Sequence, residues 1–400
     1  MTTTINKEQK NPNVPNKQEQ NQTCLDSAER EGLRPKGNVP NLRFPEFEGE
    51  WEKCKLGDAS EFSKERVNTQ NLSSDNYVAT ENMLQDYQGF IEASSVPTNT
   101  NVVKFNKGDV LLSNIRPYLK KVWFADKNGG CSADVFVFKA LSACIPDFLH
   151  YIIANDRFIN FAMSGAKGVK MPRGDKEQMK TYEIGLPSIE EQKKIATLLQ
   201  LLDERIATQN KIIDKLQSLI KGIRHDIFND IQGEVLALSN IADIYQPQTI
   251  SSSDLTTEGY WVYGANGIIG KYKEYNHETE QICITCRGNT CGTVNYTQPK
   301  VWITGNSMVI NTDKYQRQVN KRFLFHYLSS YNFNSIVSGS GQPQIVRTPL
   351  EKIKVVLPTI EKQVRIANSI DIVSEKIDTE SLVLRLLENQ KQYLLRQMFI

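Results

Sequence analysis

The sequence predicts an α+β protein: two pseudo-symmetric mixed domains, each followed by a long helix, the two helices pairing as an antiparallel coiled coil. Three observations point to it. The string Ile184-Gly-Leu-Pro-Ser-Ile-Glu-Glu-Gln-Lys-Lys-Ile-Ala returns without a gap as Val355-Val-Leu-Pro-Thr-Ile-Glu-Lys-Gln-Val-Arg-Ile-Ala, 171 residues later. Each copy opens a run of apolar residues at heptad spacing. Each is preceded by short strand-like runs separated by turns.

In chain order, residues 1–38 are dominated by Asn, Gln, Thr, Lys and Glu and carry too few large apolar groups to offset the entropy of ordering, so a disordered tail is expected. A first mixed domain follows over 39–183, a first helix over 184–233, a second domain over 234–354 and a second helix over 355–400. Strands are expected at Asp109-Val-Leu-Leu-Ser-Asn, Val122-Trp-Phe-Ala and Val135-Phe-Val-Phe in the first domain. In the second they are expected at Gln281-Ile-Cys-Ile-Thr, Thr293-Val-Asn-Tyr and Met308-Val-Ile. One short helix is expected in each, near 146–162 and 320–335. Phe148-Leu-His-Tyr-Ile matches Phe323-Leu-Phe-His-Tyr-Leu, Leu56-Gly-Asp-Ala-Ser-Glu-Phe matches Leu238-Ser-Asn-Ile-Ala-Asp-Ile-Tyr, and Ser164-Gly165 is paired with Ser338-Gly339.

Both long helices have marked starts. Ser188 after Pro187, with Glu191 three residues on, reads as a capping box, and Thr359 after Pro358 takes the same N-cap position. In the first helix Ile195, Leu199, Leu202, Ile206, Gln209, Ile213, Leu216, Ile220, Ile223 and Ile227 alternate spacings of four and three. The second repeats the register with Ile366, Ile370, Val373, Ile377, Glu380, Leu384, Leu387, Lys391, Leu394 and Met398. A helix of about 40 residues is roughly 60 Å long, more than its own domain can cover, so the seam needs a second helix. Gln209 and Glu380, polar at the centre of each seam, are expected to help fix the register.

Composition bounds the function. At 400 residues, 39% hydrophobic and 24% charged, the chain can form two or three packed domains. The net charge of +2, from 48 Lys and Arg against 46 Asp and Glu, leaves any polyanion affinity to local patches or to a partner. No apolar run reaches the roughly 20 residues needed to span a bilayer and no signal-peptide core is present, so a cytoplasmic protein with no membrane partner is expected. Seven scattered cysteines form no disulfide framework. Cys283 and Cys286 lie three apart on a strand, on opposite faces, which speaks against a metal site with Cys291. No metal ligand set and no catalytic set is therefore assigned. A phosphate loop and an Asn-Pro-Pro-aromatic methylase motif are absent from the sequence. Pro146-Asp147 with Glu191-x-Lys193 is only a superficial nuclease pattern, since the capping box already accounts for Glu191. His150 and His326, equivalent in the duplicated short helices, read as structural.

The Leu-Pro-x-x-Glu-x-Gln-x-x-Ile-Ala type of helix start, present at 186–196 and 357–367 behind unlike strand-rich domains, resembles the specificity subunits of Type I restriction-modification systems. Val262-Tyr-Gly-Ala-Asn-Gly-Ile-Ile-Gly followed by Ile284-Thr-Cys-Arg-Gly-Asn resembles that family's target-recognition domains. The likeness runs over about residues 39–400. It implies a non-catalytic adaptor whose domains each read half of a split double-stranded DNA site, with the helices as spacer. It also implies two modification subunits that use S-adenosylmethionine to methylate adenine, and two restriction subunits that use ATP and Mg, with no cofactor bound by this chain. Candidate DNA contacts are Asn114, Arg116, Tyr118, Lys120, Lys121, Lys167, Lys170 and Arg173 in the first domain. In the second they are Asn266, Lys271, Arg287, Asn289, Gln342, Gln344 and Arg347. Arg bridges guanine acceptors, Asn and Gln pair with adenine, and Lys neutralises phosphate. The reading loops differ between halves, so a non-palindromic target is expected, each domain entering the major groove, where successive faces recur about every 34 Å. A stand-alone nuclease or recombinase would account only for the basic loops, and a scaffold only for the helices.

Overall fold

The computed structural model describes residues 37–265, 267–339 and 341–400. The expected tail therefore lies almost entirely outside the described residues, and so does Asn266. The described residues divide into two compact units, 37–206 with 386–400, and 207–385. Each unit holds one mixed domain and a stretch of both long helices, Ile189–Asp230 and Ile360–Gln397.

In the first unit, strand Glu52–Lys55 pairs antiparallel with Glu183–Leu186, which leads directly into the first long helix. A four-stranded sheet runs Ser60–Phe62, Val135–Ala140, Val110–Ser113, Val122–Phe124, all antiparallel. A second sheet runs Arg66–Asn68, Asn101–Phe105, Gly129–Cys131, Tyr77–Val78, the last pair parallel. Val110, Leu112, Phe136 and Phe138 alternate onto one face and pack with Phe148, Leu149 and Phe158. The expected single helix is two, Pro146–Ile153 and Asp156–Ser164. Asn155 breaks it, because its side chain accepts from Arg157 N and starts a new N-terminus.

The second unit repeats the scheme. Glu234–Ala237 pairs with Lys354–Leu357, and the four-stranded sheet runs Asp243–Tyr245, Ser307–Asn311, Ile282–Thr285, Val294–Tyr296 in the same topological order. Its other sheet differs: three strands, Gly267–Tyr272, Tyr260–Gly264 and Trp302–Ile303. Helix Lys321–Ser330 is followed by a 3-10 turn, Phe333–Ile336, capped by Asn332. Cys283 is buried in strand Ile282–Thr285, and burial pushes its thiol up to about 12.

Within each unit the helices run antiparallel. In the first, the late turns of the second helix lie against the early turns of the first: Lys391 Nζ is 2.5 Å from Asp203, and Leu394 and Met398 share a core with Ile195 and Leu199. In the second, Gln209 Nε2 donates to the Glu380 carbonyl at 3.0 Å and to its carboxylate. All the heptad positions named above are buried or half-buried. Each helix ends by placing a phenylalanine in a domain core, Phe399 stacked on Phe148 at 5.1 Å and Phe228 edge-on to Phe323 at 5.6 Å. Among the described residues no helix is long and apolar enough to cross a membrane.

The duplicated helix start has a specific chemistry. Gln192, fully buried, accepts from Ile145 N at 2.9 Å and donates to Ala143 O and Pro187 O at 2.9 and 3.0 Å. Gln363 repeats the three bonds, to Asn320 N, Gln318 O and Pro358 O. Glu191 corrects the expected capping box. Its backbone N–H does donate to Ser188 Oγ, but its buried carboxylate accepts from Arg43 Nε and Nη2 at 2.8 Å each and from the Trp51 indole at 3.3 Å. That ties segment 38–51 to the helix start; Lys362 stands at the equivalent place in the second copy, where no acid is available.

The two histidines are enclosed rather than presented. His326 lies between Asp371 (2.7 Å) and Arg224 (3.0 Å), and Asp371 also takes the Arg322 guanidinium. Burial holds His326 below its ordinary pKa, while His326 and Arg322 hold the Asp371 carboxyl down to about 2 against its own burial. His150 stacks on Phe124 at 5.1 Å and is pushed down to about 3 by burial and by Lys391.

Candidate nucleic-acid interface

In the first unit strand Val110–Ser113 ends in a loop that the backbone cannot leave extended: Arg116 and Lys120 have φ of +51° and +52° on either side of Pro117. A small hairpin, closed by Lys167 N to Arg173 O and Arg173 N to Lys167 O at 2.9 Å each, lies beside it. Two bonds join them, Arg116 N to Pro172 O at 2.8 Å and Gly174 N to Asn114 O at 3.2 Å. Asn114 N also donates to Asp134 O at 2.8 Å.

The second unit builds the same frame. Ser338 and Gln344 close the hairpin, Gly288 N donates to Pro343 O at 3.0 Å, Ile345 N to Cys286 O at 3.0 Å, and Cys286 N to Asn306 O at 2.9 Å. Gly168 and Gly339 hold corresponding turns at φ of +99° and +90°, where a Cβ would crowd the Met171 and Gln342 carbonyls. This corrects the pairing of Ser164-Gly165 with Ser338-Gly339. Lys167-Gly168 is the true counterpart, at the same 171-residue offset as the helix starts. Gly165 instead ends helix Asp156–Ser164 with φ of −101°.

The frame gathers some of the candidate residues and excludes others. Asn114, Arg116, Tyr118, Lys170 and Arg173 belong to the first loop and hairpin; Arg116, Tyr118, Lys170 and Arg173 are exposed. Arg173 reaches Asp134 at 3.5 Å, and Asn114 Oδ1 is enclosed, which fits a framework role better than a contact. Three lysines are engaged locally: Lys120 with Asp156 at 2.8 Å, Lys121 with the Thr80 carbonyl at 2.7 Å, Lys167 with Asp175 at 2.9 Å. Asp175 also caps helix Lys176–Lys180, and the Lys167 bond holds its carboxyl below the usual range.

In the second unit Arg287, Gln344 and Arg347 line one cleft of about 370 Å³, with Asn289 and Gln342 exposed on the same loop and hairpin. Arg347 is bonded to Glu351 at 2.7 Å. Lys271 lies elsewhere, on strand Gly267–Tyr272, with its ammonium 4.7 Å from the Trp261 ring centre. The cleft's other walls were missed from sequence: Tyr245, Gln246 and Val346, over a floor of Met308 and Ile345. Burial raises the Tyr245 phenol, which is 2.9 Å from His277 Nε2, and burial pushes His277 down to about 4. Their signal was weak, because Tyr245 and Gln246 are far in sequence from the loop they meet. Among the described residues no cluster of His, Cys, Asp and Glu could hold a metal ion.

The two stretches of sequence that build these strand-rich domains and their helices each match the same family model. The Type I restriction modification DNA specificity domain covers residues 48–218 and again 231–389. The chain belongs to that family. The chain is 26% identical over 392 residues to the Type I restriction enzyme MjaVIII specificity subunit of Methanocaldococcus jannaschii, covering 84% of this chain and 88% of that one. It is 29% identical over 156 residues to the EcoprrI specificity subunit of Escherichia coli, a match spanning 38% of this chain and 37% of that protein's length. The fold resembles the crystal structure of the Type-I restriction-modification S subunit from M. genitalium, with a TM-score of 0.63 at 18% identity over 90% of this chain and 99% of that one. A chain from work on complex assembly and conformational transition of the type I R-M system gives a TM-score of 0.53 at 20% identity, over 86% and 96%. Each of the two matched stretches contains one of the frames.

Proposed function

We propose that this specificity-family chain reads a bipartite, non-palindromic target on double-stranded DNA in the cytoplasm, each domain taking one half, and directs partner subunits to it without itself catalysing a reaction. Two modification subunits would supply S-adenosylmethionine-dependent adenine methylation, and two restriction subunits ATP- and Mg-dependent translocation and cleavage. The observation that carries this reading is the duplicated frame. The same backbone bonds recur in both units, while the exposed side chains differ: Arg116, Tyr118, Lys170 and Arg173 in one, Arg287, Asn289, Gln342 and Gln344 in the other. A rigid common frame with unlike readers suits two unlike half-sites. A net charge of +2 leaves partners to complete the electrostatic clamp on the duplex.

The test is methylation of a random-sequence DNA library by the modification subunit, with and without this chain. Methylation confined to one split motif, and only when this chain is present, is the expected result. Sequence-independent methylation, or cutting of DNA by the purified chain alone with magnesium, would overturn it.

A further inference from the structure

The first hairpin carries something the second lacks. Val169, at its tip, is fully exposed at 100%, and Met171 beside it is 49% exposed. Isolated apolar side chains on a surface need no explanation, but these two sit at the tip of a hairpin whose base is fixed by backbone bonds. The hairpin is closed by two bonds, pinned to the neighbouring loop by two more, and turned at Gly168; Pro172 is buried beneath it. The surrounding exposed side chains are mainly cationic: Lys170 and Arg116, whose guanidinium reaches towards the Lys170 carbonyl at 3.5 Å, with Lys167 and Arg173, which lie against Asp175 and Asp134. A small apolar tip inside a cationic rim suits a surface that is anionic at its edges and has one apolar point between them. The major groove of DNA is such a surface, with phosphates on either side and the C5-methyl of thymine as the only apolar group on its base edges. In the second hairpin the corresponding residues in the sequence are Ser340 and Gln342.

We propose that Val169, flanked by Met171, is a specificity-determining residue that packs on a thymine methyl in the half-site read by the first domain, a contact that the corresponding hairpin of the second domain does not make. This rests on the reading of the chain as a bipartite DNA reader. The test uses the full chain with its modification subunits and the target they methylate, replacing each thymine in turn by deoxyuridine, which lacks only the methyl. At one thymine of the first half-site, wild-type binding should fall about fourfold, the order expected for one buried methyl group. Val169→Ser should bind thymine and uracil at that position equally, while Val169→Ile should keep the preference. Its melting temperature should match wild type, since the side chain contacts solvent alone. Wild-type indifference to uracil throughout the first half-site, a first half-site without thymine, or an unchanged thymine preference in Val169→Ser would each overturn the proposal while leaving selective methylation intact. Loss of a modification subunit by Val169→Ser would make the tip a protein-docking element and overturn it as well. Wild-type methylation without sequence selection would instead overturn the reading beneath it.

Discussion

Gln192 and Gln363 show what a single buried amide contributes at each helix start. Each supplies one acceptor and two donors to three backbone groups that have left regular secondary structure. A buried donor or acceptor left unpaired costs roughly 1–3 kcal/mol. Gln192→Leu strands Ile145 N–H together with the carbonyls of Ala143 and Pro187, and a loss of roughly 2–4 kcal/mol in urea unfolding is expected. Gln363→Leu should cost a similar amount, because its three partners correspond. A loss under about 1 kcal/mol in either would mean that water replaces the amide. The repeated Leu-Pro-x-x-Glu-x-Gln string is visible in the sequence, but the use of its polar positions is not. Capping propensity explains Ser188, whereas Glu191 is claimed by Arg43 and Trp51, 148 and 140 residues away in the chain. No local rule reaches that far.

At the scale of elements, a heptad period of three and four residues is enough to specify a helix and the face it buries. The long helices were therefore readable from sequence, as were the central strands Val110–Ser113 and Val135–Ala140 with their alternating apolar residues. Short edge strands such as Tyr77–Val78, two residues long, have no period to detect. The hairpins 167–173 and 338–344 were misaligned by three residues, because a Ser-Gly pair outweighed the less obvious Lys-Gly at the correct offset. Helix direction is a separate matter from register. Gln209 and Glu380 occupy the same place in the two repeats, so parallel and antiparallel pairing would both bring them together. Asp203 and Lys391 discriminate, since they meet only in the antiparallel arrangement. They are 33% and 15% exposed, so a double-mutant cycle with Asp203→Asn and Lys391→Met should give a coupling of about 0.5–1 kcal/mol. A coupling near zero would speak against this pairing.

The whole molecule repeats one plan, and the point at which each domain joins its helix decides how separable the domains are. In the second unit Glu234–Ala237 pairs along its length with Lys354–Leu357, so chain enters and leaves the domain through one two-stranded staple. Four backbone positions are in register there, and the second strand runs straight into the helix that begins at Ile360. An exchange of residues 234–354 would cut through that staple and pair a foreign first strand with native Val355, Val356 and Leu357. An exchange of 238–353 leaves the staple whole, and the foreign seam then includes the packing of Leu238, Phe323 and Leu350 against Phe228 and Leu357, the bonds of Gln363 to Asn320 and Gln318, and the contacts of Asp371 and Arg224 with His326. With a family member's domain placed between those limits, methylation of a random library should change in one half of the target and keep the other half and the gap. If both halves changed, the two domains would be reading DNA as one surface, and the duplication would be a matter of ancestry and packing with no modular consequence for recognition.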